Sequence, residues 1–234
     1  MSVIGVFDSG AGGIAVIKEL RRLSARADIL FFRDRIGAPY GKKTEGELIH
    51  LVEGDIRLLT ERGADKILMA CCTASTVWDK LHPSLRQAAT PIILPTARRA
   101  AEITKTGKIG VIATEATVAS RAFSRALHEI NPSLSVAEWQ TQELVSLVEG
   151  GARDESLTRE EFDKIKATLK EVSESDIDTL ILGCTHFPLV ERTVSVILKG
   201  VRTVSSAREG ARAMLPLEDR HGRIIYVENK PRKK

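Results

Sequence analysis

The 234-residue chain carries 43% apolar and 28% charged residues, enough to bury a sizeable core as one large domain or two small ones. No apolar run approaches the roughly 20 residues that cross a bilayer, and three cysteines, two of them adjacent, make a poor disulfide framework but suit a reducing compartment. The formal charge of +4 points toward nucleic acid only until its position is read: over residues 220–234 six Lys or Arg face one acid, Glu228, so the excess belongs to a tail. That tail, 221–234, is expected to be a solvated end, with an acidic partner as the alternative.

In chain order, Met1-Ser2-Val3-Ile4-Gly5-Val6 enters a strand at once with no leader pattern, and a cytoplasmic protein is expected. The strand ends in Asp8-Ser9-Gly10-Ala11-Gly12-Gly13, and Ile14, Ile17, Leu20 and Leu23 then recur at helical spacing. Gly10, Gly12 and Ala15, with Asp34 beyond a second strand, satisfy a relaxed dinucleotide fingerprint. Against that reading stands Asp8, whose carboxylate would repel a pyrophosphate. The stretch from Gly37 to Thr44 resembles a P-loop but places only three residues between Gly37 and Gly41-Lys42. What remains is a Pro39-Tyr40-Gly41 turn that offers a ligand either backbone N–H groups or a phenol, or serves structure alone.

Thr44 with Glu47 predicts a capped helix whose apolar side holds Leu48, Leu51, Val52, Ile56 and Leu59. Lys66-Ile67-Leu68-Met69 then gives way to Ala70-Cys71-Cys72-Thr73-Ala74-Ser75, as at the carboxyl end of a buried parallel strand. A helix is expected over 77–85 and a short strand over 91–95. The pattern then restarts: Lys108-Ile109-Gly110-Val111-Ile112-Ala113-Thr114 echoes the first strand, and Thr179-Leu180-Ile181-Leu182-Gly183-Cys184-Thr185-His186 answers the Cys71 strand. Glu143 to Gly151 reads as an amphipathic turn ending at paired glycines, Thr158 with Glu161 caps another helix, and a strand over 201–204 and a helix over 207–215 complete the series. Strands alternating with helices predict α/β architecture with largely parallel sheets. The expected division is 1–95 with 205–220 as one α/β domain and 96–204 as a second, similar one.

Two thiols at strand ends suggest chemistry. A thiol beside a base or cation takes a proton as readily as it attacks, and inverting a carbon centre needs one group on each face. Asp8 is placed to attend Cys71 and His186 to attend Cys184. Each has a plainer reading: buried cysteines commonly fill cores, a histidine can be structural, and Glu149 can be a solvated helix-end carboxylate. Cys71, Cys72, Cys184 and His186 also compose a Cys₃His set, but without paired C-x₂-C spacing, and no metal is expected.

Taken together, Gly5-Val6-Phe7-Asp8-Ser9-Gly10-x-Gly12-Gly13, Pro39-Tyr40-Gly41, Ala70-Cys71-x-Thr73-Ala74-Ser75, Ile109 to Thr114 with Thr117, and Gly183-Cys184-Thr185-His186 resemble the glutamate racemases within the aspartate and glutamate racemase group. The resemblance implies two similar α/β domains related by pseudo-twofold symmetry, with the site in the cleft between them. It also implies cofactor-independent interconversion of L- and D-glutamate, the D form supplying peptidoglycan synthesis. By carry-over Cys71 and Cys184 are the acid/base thiols, attended by Asp8, His186 and Glu149. Ser9, Tyr40, Gly41, Cys72, Thr73, Thr114, Thr117 and Thr185 would hold the substrate. A homodimer is expected, and because some members bind DNA gyrase, a racemase-fold protein that acts mainly by binding such a partner is one alternative. The chain departs from the family pattern in having Cys72 where Asn is usual, cations Arg33 and Arg35 around Asp34, no Cys-Pro-Leu before Glu149 and no Asp at 204–206. Another acidic substrate such as aspartate is the alternative these departures raise.

Overall fold

The computed structural model describes residues 3–24, 28–215 and 222–229. Two compact units compose the chain, Met1–Ile92 with Ala207–Lys234, and Ile93–Ser206. The first runs β1 (Val3–Asp8), α1 (Gly13–Ser24), β2 (Asp28–Arg33), α2 (Glu45–Glu61), β3 (Lys66–Met69), α3 (Cys72–Ser75), α4 (Pro83–Ala88) and β4 (Ala89–Pro91). The second runs α5 (Ile93–Ile103), β5 (Lys108–Ala113), α6 (Glu115–Ser120), α7 (Ala122–Ile130), β6 (Ser135–Gln140), α8 (Gln142–Glu149), α9 (Arg159–Thr168), α10 (Lys170–Ser173), β7 (Thr179–Gly183), α11 (Glu191–Ile197) and β8 (Arg202–Ser205). Helix α12 (Ser206–Ala213) returns the chain to the first unit, where β9 (Ile224–Glu228) joins the sheet edge. Among the described residues no helix is long and apolar enough to cross a membrane.

Every strand pair is parallel, and the two sheets repeat one plan. The first is ordered β4-β3-β1-β2-β9 and the second β6-β5-β7-β8, so in each the first strand is central, the second lies on one side, and the third and fourth lie on the other. The echo between the Val3 and Lys108 strands is thus an echo of position as well as of sequence. The near-continuous apolar runs follow from burial on both sheet faces: Ile4, Val6 and Phe7 in β1, and Ile109, Val111 and Ile112 in β5, are fully buried. This strand order also creates a topological switch beside each central strand, where the carboxyl ends of neighbouring strands leave a crevice.

The Thr44–Glu47 and Thr158–Glu161 capping boxes form at the starts of α2 and α9 as the spacing predicts. Elsewhere proline moves the boundaries. The strand expected over 91–95 is instead β4 ending at Pro91, with Ile93 already opening α5. Pro95 is tolerated there because first-turn N–H groups lack helical acceptors anyway. The helix expected over 77–85 divides into a 3₁₀ turn, Trp78–Lys80, and α4. Pro83 drives His82 out of the helical region, to φ −54° and ψ 136°, and His82 becomes the cap. Glu143 and its neighbours form the regular helix α8. The tail also departs from expectation: Ile224–Glu228 pairs in parallel with β2, from Ile29↔Ile224 to Arg33↔Glu228, and Tyr226 meets Phe31 edge-on with ring centroids 5.9 Å apart. Residues 221 and 230–234 of the expected solvated tail lie outside the described residues.

Candidate active site

In the first unit, β1 ends at Asp8 and β3 at Met69, side by side in register through Phe7↔Met69. Ala70 N–H donates to the Phe7 carbonyl at 3.0 Å, so the pairing continues to the threshold of Cys71. Cys71 stands at the cap position of α3 in extended conformation and is buried with Met69, Ala74 and Phe7 in one apolar cluster. Its Sγ lies 3.6 Å from Ser9 Oγ. Asp8 is buried, and its Oδ1 accepts the Gly10 N–H at 2.6 Å. Burial, reinforced by the Asp8 carboxylate, pushes the Cys71 thiol up to about 11 against the counter-pull of the Ser9 hydroxyl and the Ala74 and Ser9 N–H groups. At neutral pH Cys71 therefore holds its proton. Cys72 and Thr73, the next two residues, are buried in α3.

The Pro39-Tyr40-Gly41 turn is a 3₁₀ turn, Tyr40–Lys42. Of the two uses the sequence leaves open for a ligand, the phenol is spoken for: Tyr40 is 1% exposed, with Oη 2.9 Å from Asp34 Oδ2 and 2.5 Å from Asp55 Oδ2. Gly41 beside it is exposed, which leaves backbone N–H groups as the turn's offering. Arg35 is turned to the sheet edge, 3.6 Å from Glu228.

The second unit repeats the position of the thiol with different attendants. Cys184 follows β7 directly, beside the end of β5 through Ala113↔Gly183. Gly183 is required there, since a Cβ would come within 2.9 Å of both the Ile112 carbonyl oxygen and the Phe123 ring. Cys184 Sγ lies 3.4 Å from His186 Nδ1, and His186 Nε2 lies 3.5 Å from Glu149 Oε1 at the last residue of α8. The cysteine and histidine are buried while the Glu149 side chain is 59% exposed, and at 3.5 Å from Glu149 the buried His186 Nε2 makes no hydrogen bond. Thr114 caps α6 by accepting the Thr117 N–H at 3.3 Å, and their hydroxyls lie 2.9 Å apart. Thr185 is buried next to Cys184.

Within each unit, then, the residues expected to act gather at the switch of the sheet: Asp8, Ser9, Cys71, Cys72 and Thr73 in one, Thr114, Thr117, Glu149, Cys184, Thr185 and His186 in the other. Tyr40 and Gly41 occupy the turn that precedes α2. Among the described residues no group of three or more His, Cys, Asp or Glu is gathered as a metal ion would need. A groove of about 710 Å³ along Glu138 to Glu143 and α10 contains none of the expected site residues. The sequence reading missed Asp55 and Asn229. An acid at position 55 interrupts the apolar face of α2 and could have drawn notice; nothing local marks Asn229.

Two α/β units of one plan each carry a thiol just beyond the third strand, and the comparisons with known proteins give the class of this chain as an amino-acid isomerase. The chain belongs to the Asp/Glu/hydantoin racemase family, whose pattern it matches over residues 23–214. It is 36% identical to a glutamate racemase of Geobacter metallireducens over 211 residues, 89% of this chain and 77% of that one. A glutamate racemase isoform from Bacillus anthracis superimposes with a TM-score of 0.88 at 32% identity, covering 98% of this chain and 89% of the other. The Escherichia coli glutamate racemase, solved with L-glutamate and the activator UDP-MurNAc-ala, gives a TM-score of 0.72 at 29% identity over 91% of this chain and 80% of that one.

Proposed function

We propose that this protein interconverts L- and D-glutamate, with Cys71 and Cys184 as the two proton-transfer groups. The observation that carries the reading is the matched placement of the two thiols after the third strand of each sheet, in a chain whose relatives are glutamate racemases. One thiol, as thiolate, removes the Cα proton from one face of the amino acid; the other delivers its own proton to the opposite face. The atoms balance without a redox partner, since one proton leaves and one arrives. Hydrogen-bond donors near the substrate carboxylate offset charge on the planar intermediate, a task suited to Ser9, the Gly41 N–H and the threonine hydroxyls. His186, 3.4 Å from Cys184, accepts that thiol's proton, with Glu149 behind it. Asp8 serves the opposite need, keeping the Cys71 proton in place and facing an ammonium group. The product D-glutamate would supply peptidoglycan synthesis.

Circular-dichroism assays with each enantiomer of glutamate and of aspartate test this reading. Glutamate is expected to racemise, and Cys71→Ala or Cys184→Ala to lower kcat by about 10³-fold or more, the scale of losing an essential acid/base group. Turnover of aspartate alone would transfer the reading to the other acidic substrate, and turnover of neither would refute it.

A further inference from the structure

We propose that Asp55 is a positioning residue for substrate binding, acting through the Tyr40 phenol to fix the turn whose backbone faces the ligand. The inference rests on the reading that the Tyr40–Gly41 turn contacts the substrate. Asp55 lies on the inner face of α2 with Leu48, Val52, Ile56 and Leu59, at 5% exposure. A carboxyl group survives in such company only when hydrogen-bonded, and its recorded bond is to Tyr40.

The hydrogen atoms can be counted. Tyr40 Oη has two carboxyl oxygens within reach, on Asp34 and Asp55, but a phenol carries one hydrogen and donates to one of them. The other contact needs a hydrogen from the carboxyl side. Asp34 is already committed as an acceptor, its Oδ1 receiving the Gly37 N–H at 2.9 Å and Asn229 Nδ2 at 2.5 Å. The hydrogen is assigned to Asp55, the carboxyl that burial favours in its protonated form, and the chain then runs from the Asp55 carboxyl to the Tyr40 hydroxyl to Asp34. Burial first, and the Asp34 carboxylate after it, raise Asp55 to about 8 despite the opposing Tyr40 hydrogen bond. The proton needed for this chain is thus present at neutral pH.

The Tyr40 ring packs in the apolar cluster with Phe7, Val52 and Met69, and the bonds to Asp34 and Asp55 fix its hydroxyl. Pro39, Gly41 and Lys42 are exposed, and Tyr40 is the turn's buried side chain. Its own closing bonds, Lys42 N–H to Pro39 O at 3.2 Å and Lys43 N–H to Tyr40 O at 3.1 Å, set its shape but not its place. Asn229 holds the preceding loop from the other side, its Oδ1 accepting the N–H groups of Arg35 and Ile36. At Gly37 a Cβ would fall 2.0 Å from Asp34 Oδ2, so the loop closes tightly on the same carboxylate.

The test combines Asp55→Asn, which keeps an N–H donor, Asp55→Leu, which removes it, and Tyr40→Phe, which cuts the chain without altering α2. Amide hydrogen exchange at Lys42 and Lys43 is measured with KM and kcat for glutamate. We expect Asp55→Leu and Tyr40→Phe to speed exchange at these amides by about 10-fold, the scale of one hydrogen bond, and to raise KM by a similar factor with a smaller change in kcat. Asp55→Asn should stay within about threefold of wild type in both. Wild-type exchange and KM in both disrupting variants, or equal loss in Asp55→Asn and Asp55→Leu, would overturn the proposal. Should Asp55→Leu fail to fold, Tyr40→Phe decides alone. If the wild-type protein turns over no glutamate, the functional reading falls, while exchange at Lys42 and Lys43 still decides the role of Asp55.

Discussion

Asp55 couples folding to pH in a direction opposite to most carboxylates. Its folded value is raised to about 8 from an ordinary 3.8, so between these values the folded chain keeps a proton that the unfolded chain releases. Its stabilising contribution is complete below the unfolded value and is lost as pH rises toward the folded one, at about 1.4 kcal/mol per pH unit for one proton. Melting temperature measured from about pH 5 to pH 8 should therefore fall more steeply in wild type than in Asp55→Asn; parallel curves would contradict the assignment. Asp178 works the other way. Its desolvation is outweighed by hydrogen bonds from Thr104, Thr179, Lys105 and Thr106, which hold its carboxyl well below the usual range. That contribution is present above the unfolded value and lost in acid. Asp178→Ala should cost about 1.5–3 kcal/mol in urea unfolding, the scale of hydrogen bonds to a charged group.

Elements with strong local signals were legible from the residues, and those defined by their neighbours were not. The Thr44–Glu47 and Thr158–Glu161 pairs announced α2 and α9 because a cap is a local device. The apolar runs of β1, β3, β5 and β7 announced buried parallel strands for the same reason. Strand β6, reading Ser-Val-Ala-Glu-Trp-Gln, is partly exposed at a sheet edge and carries too weak a pattern. Strand β9 hides among basic residues, since Ile225 and Tyr226 remain 45% and 60% exposed and only pairing with β2 makes the segment a strand. The thiols were visible because the polarity change at the ends of β3 and β7 is written in consecutive residues, whereas the Asp34–Tyr40–Asp55 chain joins residues that only the fold brings together. Gly183 links element to chemistry: Gly183→Ala forces a methyl against the Ile112 carbonyl and Phe123, an overpacking cost of about 1–3 kcal/mol. It should also lower kcat by displacing Cys184, which paired unfolding and activity measurements on the variant would check.

At the scale of the molecule, one strand order is used twice, and each use ends its third strand in a thiol. The attendants differ: a carboxylate and a hydroxyl beside Cys71, an imidazole and a solvent-exposed carboxylate beside Cys184. Such asymmetry suits a pair that exchanges roles, one thiol holding a proton while the other gives one up. If the two act as a unit, Cys71→Ala with Cys184→Ala should racemise no more slowly than either single variant, as for other interdependent catalytic groups. The most direct measurement is racemisation of L-glutamate in D₂O, following deuterium at Cα of the D-glutamate formed. Proton transfer by exchanging thiols predicts one deuterium per product molecule in the wild-type protein and formation of that product slowed by about 10³-fold or more in either single cysteine variant. D-glutamate that retains the original Cα hydrogen, or undiminished racemisation by a chain lacking Cys71 or Cys184, would contradict the account.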